Sequence, residues 1–300
     1  MKNMKIQPEC AICIIHRGYQ QIATATKDKE AQYRALRELF KFLSENFSSE
    51  ATPAWIGTQR DRIIKRITGN PDPYAERKSL SNKKALEFLP IAESIVSNSS
   101  SQKEKFRKAC LCAIVGNIME FDIPGHEFDY HKLKELITNA EKELVIDEIE
   151  KIYELARKAK EVMYLTDNAG EIVFDTLLVK ELKSLGCKVV VAVKGGPVLN
   201  DATLADAKLV GMDKIADLVV TTGTDAVGLQ PSECSKEFLE TYNKAEFVIA
   251  KGMGYAETLT ELELKVPHAL LFRTKCNPVA RYFGVERNKN VAIILPRGYV

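Results

Sequence analysis

The sequence predicts a Rossmann-like α/β/α sandwich with a mostly parallel sheet, preceded by an all-helical N-terminal domain. Three observations predict it. Upstream of about residue 160, apolar residues recur at helical spacing, and downstream short apolar runs alternate with helical segments. The runs are continuous rather than alternating in polarity, as expected of strands covered on both faces by crossover helices. At 300 residues the chain holds two domains of ordinary size, divided as 1–160 (helical) and 161–300 (α/β/α).

Within the first part, Tyr33, Leu36, Leu39, Phe40 and Leu43 recur at steps of three and four, giving one apolar helical face. Asn70-Pro-Asp-Pro-Tyr74 interrupts the pattern, with Asp72 suited to cap a new helix and Pro73 to its first turn. Asn98-Ser-Ser-Ser-Gln102 reads as a polar turn, followed by a buried helix through Phe106, Ala109, Cys110, Ala113 and Ile114 that ends near Gly116. Pro124-Gly125 makes a loop, and helices are expected around 129–139 and 147–160, the latter with Asp147 at its cap.

In the second part the runs are Val162–Leu165, Val189–Val193, Leu218–Thr222, Phe247–Ala250, Ala269–Phe272 and Val291–Leu295. In a parallel sheet, the residues after the runs project from one edge, where ligands bind. They are Asp167, Asn168 and Glu171, then Lys194-Gly-Gly-Pro197 with Asn200-Asp201, then Gly223 and Asp225, then Lys251-Gly252-Met-Gly254, then Arg273, Lys275 and Cys276. Carboxylates and an amide oxygen suit a hard divalent cation, and lysines with glycine-loop amides suit an anion, for which phosphate is the natural choice. Asp167, Asn168 and Asp201 are also common helix-cap types, and Glu171 and Asp175 sit where a helix dipole favours acids.

Composition narrows the class. Forty-five per cent hydrophobic and 28 per cent charged residues describe a globular chain, and 43 basic residues nearly cancel 41 acidic ones, so no global field points to nucleic acid or membrane. No run approaches the ~20 apolar residues of a membrane helix, and no signal-peptide core is visible, so a cytoplasmic location is expected. Seven cysteines without a regular framework fit reduced thiols. None of the four histidines follows a strand, which argues against a phosphohistidine or a histidine-rich zinc centre. The glycine fingerprints of dinucleotide sites and P-loops are absent, and Ala169 stands where a paired-aspartate phosphatase would have its acid.

With Asp167-Asn-Ala-Gly-Glu171, Asn200-Asp201-Ala-Thr203 and Lys251-Gly252 in view, the chain resembles the DUF89 family of metal-dependent damage-control phosphatases over nearly its whole length. Cys10-Ala-Ile-Cys13, Asp72-Pro-Tyr74, Gly116-Asn117 and Lys275-Cys276 resemble its prokaryotic branch. The resemblance implies hydrolysis of small phosphorylated metabolites, such as sugar phosphates, with Mn²⁺, Co²⁺, Ni²⁺ or Mg²⁺. It implies Asp167, Asn168 and Asp201 as metal ligands and Asp167, Asp201 and Lys251 as catalytic groups. Phosphate or substrate contacts are implied at Asn117, Glu120, Gly170, Glu171, Lys251, Gly252 and Glu257. Two positions depart from the family pattern: Tyr255 stands where Asn is usual, and Glu120 where Asp is common.

Cys10 and Cys13, with Cys276 as a distant partner, offer a second metal or thiol site, against the plain reading of inert thiols. A non-catalytic metabolite- or nucleotide-binding protein is the rival class, and a methyltransferase a weaker one, since the first strand lacks its glycine-rich turn.

Overall fold

A computed structural model of the protein describes residues 4–116 and 130–296. The chain opens with α1 (Cys10–Ala25), α2 (Lys29–Asn46) and α3 (Pro53–Thr68). The Asp28 side chain accepts from Glu30 N to start α2, and Thr52 accepts from Trp55 N with Pro53 in the first turn of α3. Gly69, at φ +69°, ends α3 in the left-handed region. Ile14, Leu39, Leu43 and Ile56 meet in one small core and Ile22, Ala35 and Ile64 in another, so these three helices pack chiefly on one another.

Next come α4 (Ala75–Ser97), α5 (Gln102–Val115) and α6 (Tyr130–Lys142). Asp72, expected to cap the helix that follows it, instead stands two residues before the N-cap of α4, Tyr74, whose side chain makes no cap bond. Asp72 Oδ1 accepts from Tyr74 N at 3.2 Å and Oδ2 pairs with Lys78 Nζ at 2.7 Å, while α4 begins at Ala75. Ser101 caps α5, which stops at Gly116 as expected. A methyl group on Gly116 would lie 3.1 Å from Glu171 Cα, so α5 ends directly against the helix that follows the first central strand.

The remaining elements are β1 (Leu144–Asp147), α7 (Ile149–Lys158), β2 (Glu161–Leu165), α8 (Glu171–Ser184), β3 (Lys188–Val193), α9 (Leu204–Leu209), α10 (Met212–Ile215), β4 (Leu218–Thr221), α11 (Lys236–Tyr242), β5 (Phe247–Lys251), α12 (Gly252–Leu259), β6 (His268–Arg273), α13 (Asn277–Phe283) and β7 (Asn290–Leu295). All six expected runs are strands. The seventh strand, β1, differs from the helix-only expectation for this region: it is four residues long, only half-buried on one face and exposed on the other, and lies at the sheet edge beside β7. So short an edge strand has no continuous apolar run to betray it.

The sheet order is β1-β7-β6-β5-β2-β3-β4, with every pair parallel except β6 and β7. The chain leaves β2 toward β3 and β4, then crosses back to place β5 and β6 on the other side. The switch point therefore lies between β2 and β5, where a doubly wound sheet opens a crevice at its carboxyl edge. Residues of α4, α5, α7 and α8 bury one face of the sheet, with Phe106, Phe174 and Leu178 in that core. Residues of α11, α12 and α13 bury the other, around Phe238, Tyr255 and Phe272. Among the described residues, no helix is long and apolar enough to cross a membrane.

Two polar attachments hold the first helices over the carboxyl edge. Arg62 and Lys65 of α3 bind Asp225, at 2.6 Å and 2.8 Å, and Lys65 Nζ also donates to Pro197 O at 2.6 Å. Arg62 pairs with Glu233 as well. The other attachment is Asn82 of α4, fully buried, whose Oδ1 accepts from Gly170 N and whose Nδ2 donates to Asp206 Oδ1, both at 2.7 Å. Asn82→Ala would strand a buried N–H and a buried carboxylate oxygen together. The expected loss is about 2–4 kcal/mol in urea unfolding; a change below about 0.5 kcal/mol would show that the contact contributes nothing.

Candidate metal and phosphate site

β2 ends at Leu165, and the chain turns through Thr166 before presenting Asp167 and Asn168. Thr166 N and Oγ1 both reach Ala192 O, which keeps the turn aligned with β3 for one more residue. The second loop, after β3, folds back so that Asn168 and Asp201 form an antiparallel bridge. Ala169 N donates to Asn200 O at 2.9 Å and Ala202 N to Asp167 O at 2.8 Å. Residues 33 positions apart in sequence are thereby brought side by side. The third component is Gly252 after β5, at φ +83°, where a Cβ would lie 1.8 Å from Asp167 Oδ2. Only glycine fits there, on steric as well as conformational grounds.

These residues meet under strong electrostatic constraint. Asn168 Nδ2 donates to Asp167 Oδ2 at 3.1 Å and to Glu171 Oε1 at 2.5 Å, so both of its amide hydrogens are committed to acids. Glu171 is 3% exposed, and its Oε2 has no hydrogen bond, the nearest cation being Lys251 Nζ at 3.7 Å. Burial, then the neighbouring Glu171 and Asp201, drive the Asp167 carboxyl well above the ordinary range. Burial likewise raises Asp201 to about 6, against the opposing pull of Lys194 at 3.7 Å. Buried acids that repel one another, with an orphaned carboxylate oxygen beside them, fit a hard cation bound by Asp167, Asn168 and Asp201. No group of three or more His, Cys, Asp or Glu side chains among the described residues is arranged to hold a metal, so this set depends on the asparagine.

The two buried lysines are not equivalent. Lys251 turns away from the opening: its Nζ donates to Ala113 O at 2.6 Å and Asp175 Oδ1 at 2.9 Å, and Asp175 also accepts from Tyr164 OH at 2.7 Å. Lys194 Nζ donates to Gly228 O at 2.7 Å and lies 4.7 Å from the centre of the Tyr255 ring. Tyr255, the departure noted above, is thus a buried wall beneath Lys194. Lys275 is the cation that both lines the cavity and acts on Asp167.

Between the helical cap and this edge lies a cavity of about 850 Å³. Asp167, Asn168 and Asp201 line it, as do Glu257 and the thiols Cys10, Cys13 and Cys276. Burial raises the Cys276 thiol to about 11 and raises Cys10 as well, so both are neutral thiols near neutral pH. Asn117 and Glu120 lie outside the described residues. The sequence reading missed Asn82, and also Asp61, whose Oδ1 accepts from Leu199 N at 3.2 Å and so joins α3 to the Asp201 loop. Asp225, grouped with the strand-end acids, is used to dock α3 instead.

The comparisons agree with this architecture. The profile of the damage-control phosphatase ARMT1-like domain matches residues 6–291. A protein of Methanocaldococcus jannaschii, itself uncharacterized, is 40% identical over 97% of this chain and 96% of its own. A damage-control phosphatase of Archaeoglobus fulgidus is 38% identical over 97% of this chain and 100% of its own. The crystal structure of a DUF89 family protein from Pyrococcus horikoshii superposes with a TM-score of 0.86 at 32% identity, covering 96% of this chain and 98% of that one.

The raised acid gives a signed expectation for stability. In the metal-free protein, Asp201 binds its proton more tightly folded than unfolded. Its contribution is full below the ordinary carboxylate range and is lost as pH rises through about 6. Between about pH 4 and pH 8 the metal-free protein should lose about 3 kcal/mol through this group. Asp201→Asn should remove that part of the slope in urea unfolding, and an unchanged slope would show that Asp201 titrates normally.

Proposed function

The chain belongs to the damage-control phosphatase ARMT1-like family, and from that premise we propose that it is a divalent-metal-dependent phosphomonoester hydrolase acting on small phosphorylated metabolites such as sugar phosphates. The observation that carries this reading is the meeting of Asp167, Asn168 and Asp201 at the switch point of the sheet, beneath a cavity of about 850 Å³. In this reading α1–α3 act as the cap over the cavity, whereas α4–α7 and β1, although they precede residue 161, pack into the same body as the sheet that carries the metal and phosphate residues.

Asp167, Asn168 and Asp201 would hold the cation, which, as Mn²⁺, Co²⁺, Ni²⁺ or Mg²⁺, would polarise a phosphoryl oxygen and lower the charge seen by an attacking water. The chain's own groups do the rest. The helix α12 begins at this edge, with Met253 and Gly254 lining the cavity, so its first N–H groups and positive dipole end face an incoming phosphate. Lys275 reaches the same opening and offsets charge on the phosphoryl oxygens. Lys251, held by Asp175 and Ala113 O, acts from below by fixing the acids around Asp167. Of those acids, Asp167 and Asp201 line the cavity, and one carboxylate not neutralised by the cation takes the proton of the water. Nothing in the arrangement requires a covalent phosphoenzyme.

Protein stripped with chelator should release no phosphate from p-nitrophenyl phosphate or a sugar-phosphate panel, and activity should return with one of the four cations. Asp167→Asn should lower kcat/KM by at least about a thousandfold, or ~4 kcal/mol. Tight binding of sugar phosphates without turnover, indifferent to chelator, would instead identify a non-catalytic binding protein.

A further inference from the structure

The cavity has a second charged end that the metal and phosphate reading does not use. Arg60, on α3, is 4% exposed and lines the cavity, and its guanidinium Nε has no hydrogen-bond partner. Its stem runs over Gly18 of α1, where a Cβ would lie 3.4 Å from Arg60 Cδ and only 2.5 Å from Leu39 Cδ2, so the path depends on glycine. The next residue, Asp61, is committed elsewhere: to Lys65 Nζ at 2.7 Å, Gln21 Nε2 at 2.5 Å and Leu199 N. Among the described residues no acid forms an ion pair with Arg60, and after burial the largest influence on it is the like charge of Arg17, which also lines the cavity. A buried guanidinium beside a like charge is unfavourable in isolation, and burial lowers the Arg60 pKa accordingly.

The two ends differ in charge: the largest charges acting on Asp167 are Glu171, Asp201, Lys275 and Lys251, those acting on Glu257 are Arg17 and Arg60, and Asp61 acts on both Asp201 and Arg60. The guanidinium fork matches carboxylate and phosphate oxygens alike. We propose, building on the phosphatase reading, that Arg60 and Arg17 receive a second anionic group of the substrate, so that the preferred phosphomonoester carries a carboxylate or a second phosphate at its far end. Glu257, which lines the same cavity and feels both arginines, then meets the polar middle of such a molecule.

The test compares kcat/KM on p-nitrophenyl phosphate, a hexose monophosphate, a hexose bisphosphate and a phosphorylated aldonic acid, in wild type, Arg60→Met and Arg17→Gln. Wild type should favour a doubly anionic substrate over the hexose monophosphate by at least about tenfold, and each variant should reduce that ratio by about 10- to 100-fold, chiefly through KM. Loss on the aldonic acid identifies the far group as a carboxylate, and loss on the bisphosphate identifies it as a phosphate. Removing an unpartnered buried guanidinium should also raise the Tm of the ligand-free Arg60→Met protein by a few degrees, and Arg17 is exposed, so failure to fold does not confound the result. Equal losses on every substrate, or none, overturn the proposal. If wild type hydrolyses no probe at all, the phosphatase reading fails. Calorimetry with the hexose bisphosphate and Mn²⁺ then decides the arginine site: binding weakened by Arg60→Met sustains it, and binding that is absent or unchanged overturns it.

Discussion

The structure turns on a concentration of buried negative charge at the end of β2. Asp167, Glu171, Asp175 and Asp201 crowd into one region, and the two buried ammonium groups there, Lys194 and Lys251, leave an excess of two negative charges. Protonation relieves that excess at low pH, and a single divalent cation bound there would relieve it at neutral pH. The protein tolerates the crowding because the surrounding backbone is fixed by other means: strand pairing of β2 with β3 and β5, the Asn168 to Asp201 bridge, and the Asn82 clamp on Gly170. Carboxylates that would drift apart in a loop are held together by a scaffold that does not depend on them.

That scaffold follows from the sheet order. Because the order of strand addition reverses between β2 and β5, which remain parallel, the turns after these neighbouring strands diverge and leave room for a ligand, while the side chains nearest the split still touch. Gly252 records how tight the meeting is, since even a methyl group would overlap the Asp167 carboxylate. The helical cap completes the cavity from above, and its attachment through Arg62, Lys65 and Asp225 is polar and partly exposed.

Much of this was legible in the sequence. The continuous apolar runs marked all six principal strands, and Asp167, Asn168 and Asp201 could be singled out because they follow strands that must end at one edge. What escaped were relations that depend on helix register. The sequence places Asn82, Arg60 and Asp61 on helices, but only packing decides that Asn82 meets Gly170, that Asp61 meets Leu199 N, or that Arg60 is left without a partner. Side-chain direction was hidden too: Lys251 ends a strand, where a phosphate ligand could stand, yet its long stem carries the ammonium back to Asp175. Tyr255, odd against the family pattern, makes sense only as the ring beneath Lys194.

The central claim is that the acids at the end of β2 are a divalent-cation site and that the thiols across the cavity are not. Anomalous diffraction from a crystal soaked with Mn²⁺ and phosphate tests it most directly. The account predicts one strong peak within about 2.3 Å of Asp167, Asn168 and Asp201 oxygens, with phosphate beside it on the Lys275 side. A peak held by Cys10, Cys13 and Cys276, or no ordered ion near Asp167, would contradict it.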